Sequence, residues 1–82
     1  MGTQKEKPKE SQILARKLGA AIRRFRIEAG LSQDELAWRS EVHRAYLGVI
    51  ERGEQNITVK KLAQVCHGLG IKPSSLLAKI GH

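Results

Sequence analysis

The residue with the clearest recognition chemistry in this sequence is Arg44, which follows a brief interruption between two amphipathic segments. The planar guanidinium of arginine can donate two parallel hydrogen bonds, for example to the O6 and N7 atoms of a guanine. The whole chain has 15 Lys and Arg residues against 8 Asp and Glu, a formal net charge of +7. This excess favours a polyanionic partner, either a nucleic acid or an anionic membrane surface.

Other chemistries find little support in the residue pattern. The histidines at 43, 67 and 82 lack the clustered spacing of a metal site, so we predict no metal. Cys66 is the single cysteine, which we expect in the core and which is typical of the reducing cytoplasm. No nucleophile–base pair and no phosphate-binding glycine loop can be identified, so we predict no enzyme, no cofactor and no small-molecule ligand. No apolar run approaches the roughly 18 residues of a membrane span, so we predict no membrane partner.

The elements that position these residues are predicted to be helices. Apolar residues recur with helical spacing, and no segment alternates with period two for long enough to form a strand. The predicted fold class is therefore all-α, a compact five-helix bundle. The helices are expected from Ser11 to just before Gly30, over 33–39, over 44–52, from Thr58 to Gly70, and from Pro73 onwards.

Local signals mark the ends of several helices. Ser32 and Glu35 form a capping box, in which each side chain satisfies a free backbone N–H group of the other residue. The glycines at 30, 53 and 70 are expected to end helices, and Pro73 has the fixed φ of a first helical residue. The fourth helix is predicted to bury Val59, Leu62, Ala63, Val65 and Cys66.

Residues 1–10 are polar and contain a proline, which indicates a flexible N-terminal arm, with an arm that touches DNA as the alternative. Residues 11–82 then form the folded domain. The basic residues of the first helix are expected to form a solvated face at least as readily as a binding surface. They are Arg16, Lys17, Arg23 and Arg24.

The second and third predicted helices are joined by a turn over 40–42, which is the arrangement of a helix-turn-helix. In such a unit the third helix enters the major groove with its N-terminal side chains. By helical spacing, Leu47 and Ile50 point inward. Gln33 and the free N–H groups beside it are well placed to bind a backbone phosphate. The residues expected to point outward are His43, Arg44, Ala45, Gly48 and Val49.

The stretch 31–77 resembles the phage-repressor (XRE, Cro-like) helix-turn-helix family, and residues 26–30 extend the resemblance towards the N-terminus. Three segments at their present separations carry it: Leu31-Ser32-Gln33, Glu35-Leu36-Ala37 and Ile50-Glu51-Arg52-Gly53. Within that family, the segment HRAYLGVIERGEQNIT is similar to the restriction-modification controller proteins, which are small homodimeric regulators.

The resemblance implies roles for individual residues. Gln33 would bind phosphate, Arg44, Ala45 and Val49 would face base edges, and Tyr46, Arg52 and Asn56 would hold the flanking DNA backbone. Arg26 and Glu51 would form a structural ion pair. The full predicted DNA-contacting set is Ser32, Gln33, His43, Arg44, Ala45, Tyr46, Val49, Arg52 and Asn56.

Three residues depart from the family pattern. Glu41 stands where glycine is common, so a left-handed conformation there would be strained. His43 replaces the usual Ser, Thr or Asp at the start of the third helix, which weakens that N-cap. Trp38 occupies a position that is normally polar and exposed; we expect it to pack partly against neighbouring side chains, with a partner site as the alternative.

The sequence therefore predicts a transcriptional regulator that binds a specific double-stranded DNA sequence. The resemblance favours the restriction-modification controller proteins as the subtype. One recognition helix contacts few base pairs, each worth about 1–3 kcal/mol, so a homodimer on a palindromic operator is expected. Leu76, Leu77 and Ile80 exceed the needs of so small a core and are the predicted dimer interface. The alternative is an antitoxin-type module that binds a toxin through Trp38 and the C-terminal leucines and regulates its own synthesis.

Overall fold

The computed structural model describes residues 9–81, and within them it contains five helices and no strand. This confirms the predicted all-α fold. The predicted arm lies outside the described residues except for Lys9 and Glu10, and Glu10 already belongs to the first helix. Among the described helices, none is long and apolar enough to cross a membrane. The helices are α1 (Glu10–Glu28), α2 (Gln33–Ser40), α3 (Arg44–Glu51), α4 (Val59–Leu69) and α5 (Pro73–Ile80).

Every helix contributes at least one fully or almost fully buried aliphatic side chain to a single core. Burial of each such side chain stabilises the fold by about 1.5–3 kcal/mol, so the five helices hold one another in place. Cys66 belongs to this core as predicted, and its burial raises the pKa of the thiol. The core members, one from each helix in order, are Ile22, Leu36, Leu47, Val65 and Leu76.

The predicted helix ends are found in the structure. The Ser32 hydroxyl accepts a hydrogen bond from the Glu35 N–H at 3.0 Å, and the Glu35 carboxylate accepts one from the Ser32 N–H at 2.8 Å. The hydrogen bond from the Ser32 backbone N–H to the carboxylate, followed by the interaction of the Ser32 side chain with the same carboxylate, lowers the pKa of Glu35. Thr58 caps α4 in the same way as Ser32 caps α2, by accepting from Lys61 N–H at 3.1 Å. Pro73 is the first residue of α5.

The turn between α2 and α3 is strained at Glu41, which has φ 58° and ψ 41° and is the one non-glycine residue with positive φ within residues 9–81. The expected strain at this position is therefore present, at about 1–2 kcal/mol. Several hydrogen bonds hold the turn; among them, Gln64 Nε2 of α4 donates to the Ser40 carbonyl at 3.0 Å, and Val42 N–H donates to the Ala37 carbonyl at 3.0 Å. The turn is thus bonded both to α2 and to α4.

Gly19 lets α1 approach the end of α3 at backbone distance. A Cβ atom on Gly19 would collide with the carbonyl oxygen of Ile50 and lie 2.8 Å from that of Glu51. Gly53, with φ 72°, similarly has no room for a side chain beside Arg16. The two glycines therefore place the C-terminal end of α3 directly against α1.

Burial differs from the sequence-based expectation on α2 and α4. Trp38 is 82% exposed, so the expected partial packing is wrong: α2 packs through Leu36, Ala37 and Ser40, and Trp38 lies on the opposite side of the helix. Val59 is 84% exposed and Ala63 is also exposed, although both were predicted to be buried. Helical periodicity predicts which face of a helix is apolar. It does not predict how much of that face, along the helix or around it, other elements cover.

Candidate DNA-binding surface

The N-terminal part of α3 presents the side chains predicted to point outward at the molecular surface. His43, Arg44 and Ala45 are exposed and Val49 is partly exposed, whereas Leu47 and Ile50 are buried in the core. The His43 side chain forms no capping hydrogen bond with any described residue. This helix therefore has one face held by the core and an opposite face open to a ligand.

Gly48 is the exception on this helix, because it is buried although it was expected to point outward. A Cβ atom on Gly48 would lie 3.3 Å from Arg52 Nη1 and 3.9 Å from Gln33 Oε1. The side chains of Arg52 and Gln33, two residues predicted to bind phosphate, thus both lie close to Gly48.

Arg26 and Glu51, for which the resemblance implied an ion pair, meet in a bidentate arrangement. Arg26 Nε donates to Glu51 Oε2 at 2.7 Å and Arg26 Nη2 donates to Glu51 Oε1 at 3.0 Å. Their side chains are only 11% and 2% exposed. Arg26 Nη1 also donates to the Leu31 carbonyl at 2.9 Å. The pair therefore joins α1, the start of the helix-turn-helix and the end of α3.

Glu51 also fixes Gln33, a link that the sequence analysis missed. Gln33 Nε2 donates to Glu51 Oε1 at 3.0 Å. An amide nitrogen carries two hydrogens, so the second N–H of Gln33 is left to donate to a phosphate. The buried carboxylate thus orients the side chain predicted to contact the DNA backbone.

Asp34 is a second site residue that sequence reasoning missed. Arg44 Nε lies 2.9 Å from Asp34 Oδ1, and the two side chains are 64% and 76% exposed. No local signal in the sequence connects the two residues, because they lie ten positions apart on different helices. Asp34 stands between the capping-box residues Ser32 and Glu35 and was not singled out in the sequence analysis.

The remaining predicted contacts lie around this centre. Ser32 is exposed at the start of α2, and a hydroxyl that accepts the capping hydrogen bond can still donate its own hydrogen. Tyr46 is half-buried, with Lys61 Nζ 6.0 Å from its ring centroid. Arg52 is paired with Glu54, Nε to Oε2 at 3.1 Å, and this carboxylate raises the pKa of Arg52. Asn56 is exposed in the loop before α4.

The three residues predicted for the dimer interface are not equally available. Leu76 is fully buried in the core of the chain itself, because it lies on the inner face of α5. Its assignment to the dimer interface is therefore wrong. Leu77 is 44% exposed and Ile80 is partly buried. Of the three predicted residues, only Leu77 and part of Ile80 therefore remain at the surface.

Comparison with known proteins gives concordant matches. A family model described as helix-turn-helix matches residues 22–76. The control protein C.BamHI of Bacillus amyloliquefaciens is 33% identical over 60 residues, covering 72% of this chain and 74% of that protein. The crystal structure of the clp gene regulator ClgR from C. glutamicum is 40% identical with a TM-score of 0.79, covering 83% of this chain and 88% of that one. The restriction-modification controller protein C.AhdI from Aeromonas hydrophila is 34% identical with a TM-score of 0.76, covering 78% and 97%.

Proposed function

We propose that this chain, which belongs to the helix-turn-helix family of transcriptional regulators, binds a specific double-stranded DNA sequence through α3, as a homodimer in the cytoplasm. The observation that carries the proposal is the exposed N-terminal face of α3, a helix whose opposite face is fixed in the core. Arg44 and Ala45 are exposed there, while Glu51 at the other end is locked to Arg26 in α1. A rigid, exposed helix of this kind suits insertion into the major groove.

The contacts divide into two chemical classes. Arg44, Ala45 and Val49 are proposed to face base edges, where the pattern of donors and acceptors differs between base pairs. Ser32, Gln33, His43, Tyr46, Arg52 and Asn56 surround them and are proposed to contact mainly the sugar-phosphate backbone, which has the same structure at every base pair. The net charge of +7 supports both classes by attracting the polyanion.

We propose control of restriction-modification genes as the physiological role. Among the relatives described above, C.BamHI and C.AhdI are named as control or controller proteins. ClgR is named as a clp gene regulator, so a regulatory role is common to all three. These relatives favour a regulator over the antitoxin alternative.

The domain is proposed to comprise residues 11–82. Within it, α5 is proposed to form the dimer contact. Two recognition helices related by a twofold axis would contact two half-sites of a palindromic operator about one helical turn apart. Leu77, with 44% exposure, and the accessible part of Ile80 are proposed to contact the second copy.

The test compares two substitutions after bound sequences have been selected from random duplexes with the unmodified protein. Arg44→Ala should preserve the fold, because the side chain is 64% exposed, and should weaken the selected duplex by about 5- to 150-fold, corresponding to about 1–3 kcal/mol. It should also relax the preference at one base pair of each half-site. Gln33→Ala should weaken the selected and a scrambled duplex by similar factors.

All titrations are made at one salt concentration, because the phosphate contribution depends strongly on salt. Equal weakening of both duplexes by Arg44→Ala would show that Arg44 contacts phosphate and that another residue recognises the bases. Failure of the random pool to yield any preferred sequence would contradict the proposal of specific DNA binding.

A further inference from the structure

The pairing of Arg44 with Asp34 bears directly on how a base would be recognised. Arg44 is the first residue of α3 and Asp34 the second residue of α2, and their side chains meet although they lie ten positions apart in the sequence. Both are largely exposed, so the core does not impose the contact. The two helices that carry these residues are joined by the turn at Glu41.

The atoms involved leave the recognition end of the arginine unoccupied by Asp34. The carboxylate contacts Nε, at 2.9 Å from Oδ1. The two terminal nitrogens, Nη1 and Nη2, carry the pair of parallel donors that match guanine O6 and N7. A partner at Nε restrains rotation of the guanidinium plane, so less side-chain freedom is lost when the fork meets a base.

Asp34 also carries a negative charge next to Gln33, where a DNA phosphate is proposed to lie. A carboxylate in that position repels the backbone of every duplex, whatever its sequence. This repulsion acts equally on all duplexes, so it lowers non-specific affinity without changing the ratio between the correct and an incorrect sequence. The orientation of the base-contacting side chain is what raises that ratio, because it favours only the duplex that offers the matching base.

We propose that Asp34 is a positioning residue for sequence recognition: it orients the Arg44 fork towards a guanine while opposing non-specific attachment to DNA. The inference rests on the proposed function, in which Arg44 contacts a base edge. It adds a specificity-determining residue on α2, the helix that otherwise contacts only the DNA backbone.

The experiment measures Kd for a duplex selected by the unmodified protein and for a scrambled duplex of the same composition, and uses their ratio as the discrimination. Asp34→Ala should bind the scrambled duplex a few-fold more tightly and should lower the discrimination about fivefold, which corresponds to about 1 kcal/mol. Asp34→Asn, which removes the charge with little change of shape, should shift both quantities in the same direction by a smaller factor.

The matched control is Glu28→Ala, which removes one negative charge from another exposed ion pair, Arg24 Nε to Glu28 Oε2 at 3.3 Å on α1. This change raises the net charge equally but should leave the discrimination unaltered. In an Arg44→Ala background, Asp34→Ala should no longer change the discrimination, because the side chain that it orients is gone.

Equal tightening of both duplexes by Asp34→Ala would overturn the inference and reduce Asp34 to a surface charge. Increased discrimination would also overturn it, since Asp34 would then compete with the base for Arg44. With either result for Asp34→Ala, the proposed function would still hold if the single variant Arg44→Ala loses discrimination. If Arg44→Ala keeps full discrimination, the assignment of Arg44 to a base edge fails, and the role of Asp34 fails with it.

Discussion

Replacing Glu51 by alanine is expected to destabilise this protein more than any other single loss of charge described here. Glu51 accepts two hydrogen bonds from Arg26 and one from Gln33, and its side chain is 2% exposed. In the alanine variant the Arg26 guanidinium, itself only 11% exposed, would lose both hydrogen bonds to Glu51 and keep the one to the Leu31 carbonyl. A nearly buried positive charge would then lack its counter-ion.

The magnitude follows from the cost of breaking a buried pair by removing one partner, about 3–5 kcal/mol. The slight exposure of Arg26 and its remaining bond to Leu31 place the expected value at the lower end, about 3 kcal/mol. Domains of this size have total stabilities of about 4–12 kcal/mol, so the loss is a large fraction of the whole. For a domain of about 80 residues it corresponds to a decrease in Tm of about 12 °C or more.

The assay is urea unfolding followed by circular dichroism at pH 7, with thermal unfolding as a second measure. Glu28→Ala is the matched control, because it breaks an exposed arginine–glutamate pair and should change the free energy of unfolding by less than about 1 kcal/mol. The double variant Arg26→Ala/Glu51→Ala should be less destabilised than the sum of the two single variants, since no charge is left unpaired. Strict additivity, or a Glu51→Ala variant as stable as the control, would refute the reasoning.

Three further outcomes are expected. Gly19→Ala should destabilise the fold by about 1–3 kcal/mol in urea unfolding, because its Cβ meets the backbone carbonyl of Ile50. Gly48→Ala, whose Cβ meets only the ends of the Arg52 and Gln33 side chains, should be neutral or stabilising, and equal effects of the two substitutions would contradict the close approach of α1 to α3. Glu35→Ala should lower the free energy of unfolding at pH 7. Because the folded state lowers the pKa of this carboxyl, the difference in unfolding free energy from the unmodified protein should shrink as the pH falls through and below about 4. A difference that does not depend on pH would contradict this prediction. Leu77→Asp should shift a dimer seen by sedimentation at micromolar concentration towards monomer, and a monomeric unmodified protein would refute dimerisation through α5.

Several features of this protein were predictable because their causes are local in the chain. A capping box acts within one helical turn, so Ser32 and Glu35 predict the start of α2 without reference to the rest of the fold. The same holds for Pro73 at the start of α5 and for the strain at Glu41. The linear spacing of these signals also predicted the helix-turn-helix itself, and with it the exposed position of Arg44.

Features that depend on the separation and angle between helices were not predictable in this way. The contacts of Asp34 with Arg44 and of Gln33 with Glu51 join residues 10 and 18 positions apart, so no local rule connects them. Likewise, the closeness of α1 and α3 at Gly19 decides where the end of α3 lies, and a glycine inside a helix does not indicate which neighbour approaches it.

The extent of the core was also decided only by the tertiary structure. Periodicity places an apolar residue on a helix face, but burial requires another element to cover that part of the face. Leu76 is covered and becomes core, whereas Leu77 and Val59 are not and remain exposed. The sequence by itself thus determined which segments are helices and which helix presents Arg44, while helix packing decided which side chains meet and how much apolar surface is left for a second copy.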